Sequence, residues 1–448
     1  MHTRLRSLNK LLAEFYGSGI LLRRLGTGDP KWKAFQKLAA DFIVETNVDE
    51  KHRKASEISK HVLGELLLPH YESIPTLGEG LMQFEEQGSP RSTFHRDHHI
   101  HTTYVLLLGF YFFFTLNVKL GDRVKAIPDL YYVLNTRLAD RQPFDRELKT
   151  GNISDPSCWE TTPTGMFYPR MIAQFIHAWS LASLGHDLGY PLSDSSDALE
   201  LDEFVENLEK LIVNLFQMSN DEIKELLGDE VGLFLAFDIF TGSLLKPKSE
   251  IGRTYFGESA DFRRLMSHRL VRITGEERDW SHHVASHTSW SAFSTKDAEH
   301  GSVGAYFVLF IYFLTRFLRA DITSEETSQL LDWIFFGDEM DAVAACYVHN
   351  AFLDHISVVN LEASPILYLL ILCDELQQFG RPLSSASSLT QEQYDNSLNT
   401  VEIGFTSQGR LAFRFLANPW ELPPDAKERQ SKSLQRLEKL KPSLVSSL

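Results

Sequence analysis

Two apolar runs constrain this chain more than any other feature. Tyr104–Leu116 reads Y-V-L-L-L-G-F-Y-F-F-F-T-L, and Val303–Leu318 reads V-G-A-Y-F-V-L-F-I-Y-F-L-T-R-F-L. Stretches of this kind either cross a membrane or lie buried in protein on most sides. Both fall short of the roughly 18–20 apolar residues that a spanning helix needs, and Arg316 interrupts the second. They are predicted as central helices of a large helical core. Met171–Leu184 and Pro365–Cys373 are mostly apolar too, and join them as core helices.

The rest of the chain can support such a core. It has 448 residues, 43% hydrophobic and 12% aromatic, enough for two or three domains. A formal net charge of −16 makes the surface acidic. That surface repels duplex nucleic acid and anionic lipid, so neither is an expected partner. A local basic pocket for a small anion is still compatible with it. The three cysteines, Cys158, Cys346 and Cys373, are widely spaced and suggest neither a zinc ribbon nor a disulfide framework. M-H-T-R-L-R-S-L-N-K leads into an amphipathic pattern and not an apolar signal core. The expected compartment is a reducing cytoplasm.

Three helices are predicted at the start, over Leu8–Leu25, Trp32–Val44 and His52–Leu68, from apolar residues at three- and four-residue spacing. Asp29-Pro30 suits the start of the second. E-Q-G-S-P-R-S-T at 86–93 suits a boundary. The division expected is a helical segment over 1–88, a helical core over 89–385 and a C-terminal unit over 397–448. Polar insertions interrupt the core at 121–164 and 192–294, the second holding an acidic helix at Ala198–Met218. Val401–Leu416 alternates around Ser407-Gln408-Gly409, a β-hairpin signal, and the charged tail from Pro423 reads as a loosely held helix.

Each apolar helix carries a metal-ligand type of side chain at one end. His101 stands before Val105–Leu116, His186-Asp187 after Leu184, His300 before Val303, and Asp374 at the end of P-I-L-Y-L-L-I-L-C. If the helices pack as a bundle, these ends can converge on one pocket. Histidine with carboxylate suits a divalent ion of the Mn, Fe, Ni or Mg kind, and zinc also accepts such ligands. Adjacent helical residues point about 100° apart. Both members of the His186-Asp187 pair therefore reach one ion only at a helix end, and Gly189-Tyr190-Pro191 supplies one. Singly, each residue has a plainer reading. His300 can cap its helix, Asp374 can pair with Arg381, and the cluster H-R-D-H-H-I-H at 95–101 can be a solvated lead-in.

The ordered set H…HD…D resembles the HD-domain superfamily of metal-dependent phosphohydrolases. H-T-T-Y-V at 101–105 resembles the first-histidine motif, and S-L-G-H-D-L-G-Y-P at 183–191 the His-Asp signature. E-H-G-S-V-G-A at 299–305 and V-H-N-A at 348–351 resemble the additional histidine motifs of larger members. L-L-I-L-C-D-E-L-Q-Q-F-G-R at 369–381 resembles the closing aspartate helix. The resemblance spans roughly residues 95–381. It implies an all-α, HD-like helical bundle, here with extra N-terminal helices and a small C-terminal hairpin. It implies metal ligation by His101, His186, Asp187 and Asp374, with Asp187 as the bridge if two ions bind. His300 and His349 would complete a second metal site or contact a phosphate, and either would protonate the leaving oxygen; with Asp187 they form the implied catalytic set.

The implied activity is hydrolysis of a nucleotide or related phosphoester or phosphoanhydride by metal-activated water. Tyr190 and Trp290 are candidates to stack on a base. Two departures matter. Gly-Tyr-Pro here continues the His-Asp turn, whereas in the cyclic-di-GMP phosphodiesterases named for that motif it lies well downstream. Many members also carry lysine where Tyr190 stands, which leaves Lys296 or Arg381 as substitutes. The alternative is a non-catalytic HD module that binds a nucleotide or metal and signals to a protein partner or a second copy. A plain helical scaffold would hold no metal.

Overall fold

The computed structural model describes residues 6–66, 98–120, 123–128, 168–188, 262–274, 280, 300–302, 304, 305, 308, 340–350, 353, 356–378, 401–406, 410–415, 424–441 and 444–446. Helix accounts for 74% of what is described, with small sheets beside it. The mainly helical class and the C-terminal hairpin agree with the sequence reading. Among the described residues, no helix is long and apolar enough to cross a membrane.

The N-terminal region runs β1 (Arg6–Ser7), α1 (Leu8–Gly17), α2 (Ile20–Leu25), α3 (Pro30–Val44) and α4 (Val48–His61), which continues into a π-helical turn over Val62–Leu66. The single helix expected over Leu8–Leu25 is broken at Ser18-Gly19, where Gly19 takes a left-handed φ of 72°. Side-chain caps set the other starts. Asp29 accepts from the Lys31 amide at 2.8 Å ahead of Pro30, and Asn47 accepts from the Glu50 amide at 3.0 Å.

These helices pack onto α5 (His98–Thr115), the first of the apolar runs. Phe42 lies 4.9 Å from Tyr104 and Phe35 5.6 Å from Phe110 between ring centroids, and Tyr16 donates to the Leu107 carbonyl at 2.9 Å. On its other sides α5 meets α6 (Tyr168–Gly185) and α9 (Pro365–Gln378). It is apolar nearly all round because it is covered nearly all round. The approach to α6 is close: a Cβ built on Gly109 would lie 2.0 Å from the Trp179 ring, whose Nε1 donates to the Leu106 carbonyl at 2.9 Å. Between α6 and α9 in sequence come α7 (Phe262–Thr274) and α8 (Met340–Val348). Helices α6 and α9 pack against each other and both touch α5 and α8, which makes these four the centre of the molecule.

Among the described residues, three small sheets accompany the helices. Strands β5 (Val401–Phe405) and β6 (Leu411–Phe415) form the expected hairpin, and β1 adds to its edge. Val401 and Ile403 point inward, while Glu402 between them pairs across the ladder with Arg414 at 2.8 Å. A second hairpin, β2 (Leu116–Leu120) with β3 (Arg123–Ala126), comes directly after α5 and leads into the expected polar insertion at 121–164. The chain ends with α10 (Pro424–Glu438), then β7 (Leu440–Lys441) and β8 (Leu444–Ser446). Helix α10 packs on α9 and buries Ser433, Arg436 and Leu437, so the charged tail contributes to the core. Strand β7 pairs in parallel with β4 (Val359–Asn360), and β8 pairs with β2.

The acidic helix at 198–218 and the residues Tyr190, Trp290, Lys296, Arg381 and Cys158 lie outside the described residues.

Candidate metal centre

Helix α6 keeps its hydrogen-bond ladder as far as the His186 amide, which donates to the Ala182 carbonyl at 3.0 Å. It then stops in a turn closed by Leu188 N–H to the Gly185 carbonyl at 3.2 Å. His186 and Asp187 therefore stand at a helix end, where neighbouring residues can face one point. His101 comes from the first turn of α5, and Asp374 from within α9. His349 is the residue after the end of α8, with its amide still bonded to the Ala345 carbonyl at 3.0 Å.

His300 lies in a helical segment described at residues 300–302, 304, 305 and 308. Gly304 holds this segment against the His-Asp turn. A Cβ there would lie 2.7 Å from the Gly185 carbonyl oxygen and 2.8 Å from that of His186, so only glycine permits the approach.

All six expected residues come together and all are buried, none more than 7% exposed. His101 Nε2 lies 3.0 Å from Asp374 Oδ1, 3.5 Å from Asp187 Oδ2 and 3.3 Å from His186 Nε2. His186 Nε2 lies 3.4 Å from Asp187 Oδ1 and 3.9 Å from Asp374 Oδ1. The imidazoles continue outward, with ring centroids 5.1 Å apart from His186 to His349 and 5.2 Å from His349 to His300. Three sets of three residues each offer ligand atoms within 4.8 Å of one another: His101, His186 and Asp187; His186, His349 and Asp374; and Asp187, His300 and His349.

The outer nitrogens fix what the inner ones offer. His186 Nδ1 lies 2.9 Å from the Ser183 carbonyl, His349 Nδ1 2.6 Å from the Cys346 carbonyl, and His101 Nδ1 3.1 Å from Gln377 Oε1. Those oxygens only accept, so each Nδ1 carries the proton and each Nε2 turns a lone pair inward. Two imidazole nitrogens facing each other at 3.3 Å beside two carboxylates suit a cation between them, whether a proton or a metal ion. An outer N–H given to a carbonyl is the usual arrangement of a metal-ligating histidine. The donor set thus fits a divalent ion.

Charge and burial act in opposition here. Burial lowers the pKa of His186, and more strongly that of His300, keeping both rings neutral and able to ligate. Burial would raise Asp374, but where a proton is the cation on His101 Nε2, the hydrogen bond and charge of that imidazolium outweigh it and hold the carboxyl below the ordinary carboxylate range. Burial also pushes the Cys346 and Cys373 thiols up, so neither supplies a thiolate at neutral pH. Among the described residues, the candidate ligand atoms are imidazole nitrogen and carboxylate oxygen, without sulfur.

The residues that orient these ligands escaped sequence reasoning. Gln377 had a signal available, since it lies three positions from Asp374 on one helix face. Asn350 sits beside His349 in the V-H-N-A motif. Arg436 carried no local signal. No protein-family model, no curated protein and no solved structure matches this chain.

Proposed function

We propose that the chain is a metal-dependent phosphohydrolase of the HD-superfamily type, acting on a nucleotide or a related phosphoester or phosphoanhydride in the cytoplasm. The observation that carries this reading is the convergence of two inward Nε2 lone pairs and two buried carboxylates, from His101, His186, Asp187 and Asp374, on one point. These four would hold the ion. It would be Mn, Fe, Ni, Mg or Zn, since imidazole with carboxylate accepts each of them. A divalent ion in this position lowers the pKa of bound water and polarises a phosphoryl oxygen.

The chain's own residues supply the rest. Asp187 belongs to two of the three ligand sets, which makes it the candidate bridge. His300 and His349 share a ligand set with Asp187, where they would contact a phosphate or pass a proton to the leaving oxygen. The test is elemental analysis of untagged protein with assays over nucleotides and simple phosphoesters. Wild type is expected to carry stoichiometric metal and turn over at least one substrate. Asp187→Ala is expected to lose the metal and to slow by more than about a thousandfold. Full activity in that variant defeats the assignment.

One observation favours a second reading. All six residues are buried, as they would be in a centre that serves structure or regulation. Bound metal and nucleotide without turnover under any ion would favour a non-catalytic module that signals to a partner.

A further inference from the structure

The helix that meets this site from outside is α10, in the C-terminal part of the chain that the motif resemblance does not cover. Its Arg436 is buried and donates in two directions. Nη1 gives a hydrogen bond to Glu375 Oε1 at 2.9 Å, on the residue after Asp374. Nη2 gives one to Asn350 Oδ1 at 2.6 Å and one to the Asn350 carbonyl at 3.2 Å, on the residue after His349. With its oxygen held by Arg436, the Asn350 amide presents Nδ2 to the His300 ring, 2.9 Å from Nδ1 and 3.1 Å from Nε2. One guanidinium thus reaches the neighbours of two ligands and, through Asn350, a third.

The same segment holds the chain beyond His349. Helix α8 ends at Val348; His349 keeps the last bond of its ladder, and beyond it local turns follow, Leu353 N–H to the Asn350 carbonyl at 3.0 Å and Ile356 N–H to the Leu353 carbonyl at 3.1 Å. Lys439 Nζ donates to the Leu353 carbonyl at 2.8 Å. Val359 N–H donates to the Lys439 carbonyl at 2.8 Å, and Leu361 N–H to that of Lys441 at 2.9 Å, as β4 pairs with β7. Besides these local turns, Leu353, Val359 and Leu361 are thus tied from outside by the segment that carries Lys439 and β7.

We propose that Arg436 is a positioning residue of the metal centre, setting His300, His349 and Asp374 in register through Asn350 and Glu375. This rests on the metal-centre reading. The geometry calls for arginine: its planar fork serves acceptors in two directions at once, while lysine is a point charge on a flexible stem.

The test uses the full chain as wild type, Arg436→Lys, Asp374→Ala and the double variant Arg436→Gln/Glu375→Gln. The double variant removes both charges together, so no buried ion is stranded and the fold has the better chance of surviving. Each protein is titrated with Co²⁺ and followed by calorimetry and by its visible absorption bands, with thermal unfolding in chelator alongside. Folded Arg436 variants are expected to bind Co²⁺ about 10–100-fold more weakly than wild type, as outer-shell substitutions do, and with shifted bands. The band positions separate positioning from general instability, because a partly unfolded population lowers intensity without moving the bands. Wild-type affinity and bands in either folded variant overturn the proposal while leaving the metal centre intact. A wild type that binds no Co²⁺, like Asp374→Ala, overturns the metal centre and this proposal together.

Discussion

At the residue scale, a histidine buried as the neutral ring makes stability depend on pH. His177 on α6 is such a residue, its pKa pushed down by burial to about 4. Between that value and the ordinary 6.5 the unfolded chain binds a proton that the folded chain refuses. Stability is therefore full above the unfolded pKa and is lost as pH falls through the window, by about 3 kcal/mol at most. His177→Leu removes this proton uptake without burying a new polar group. The thermal midpoint of wild type is expected to fall further between pH 7 and pH 5 than that of His177→Leu. Equal falls would assign the pH response to other groups. The same kind of side chain does different work in His101, His186 and His349, and the difference lies in what each outer nitrogen meets. For His186 and His349 the partner carbonyl is three residues back, within reach of local reasoning. For His101 it is Gln377, brought from another helix by tertiary packing.

Among the elements, the contact between the His-Asp turn and the His300 segment has the least tolerance. Gly304→Ala would place a methyl group 2.7–2.8 Å from two backbone carbonyls, which cannot swing away as a side chain can. The segments must part, at a cost of about 1–3 kcal/mol for overpacking. The expected outcome is a folded protein with a lower thermal midpoint and weakened metal binding, because His300 moves away from Asp187. Metal affinity equal to wild type would place His300 outside the centre. Element legibility depended on how local each signal was. The apolar run in α5 and the alternation in β5–β6 could be read directly, because a single face or period carries each. The β2–β3 pair was readable too: Leu116, Val118 and Leu120 alternate with polar residues, and two residues separate the strands. Its second strand falls inside the polar insertion at 121–164, where Pro, Asp and Gly mask the alternation. The break between α1 and α2 turns on Gly19 inside an otherwise continuous apolar pattern. The buried face of α10 was hidden because Arg436 and Ser433 read as exposed until Glu375 and α9 are placed beside them.

For the molecule as a whole, the six residues come from five separated stretches of chain, from His101 to Asp374. Their types were legible, and so was the helix-end position of the His186-Asp187 pair, because a helix end is the place where adjacent side chains can share a target; Asp374, expected at the end of its helix, instead lies within α9, which runs on to Gln378. Their convergence was not, because it depends on how α5, α6, α8 and α9 pack. The same dispersion makes metal binding a whole-molecule property. An ion held by side chains from α5, the turn after α6 and α9 binds the folded chain and not the unfolded one, so it stabilises all of them together. Free metal at 100 times its dissociation constant adds about 2.7 kcal/mol. With an unfolding entropy of ~2.1 cal/mol/K per residue, that raises the midpoint of a chain this long by roughly 3 °C. The expected outcome is a rise of that size in wild type with Mn²⁺ or Ni²⁺, reversed by chelator, and none in Asp187→Ala or Asp374→Ala. If wild type and both variants shift alike, the ion binds elsewhere on the acidic surface. If none shifts with any divalent ion, a proton and not a metal ion holds the two facing imidazoles together.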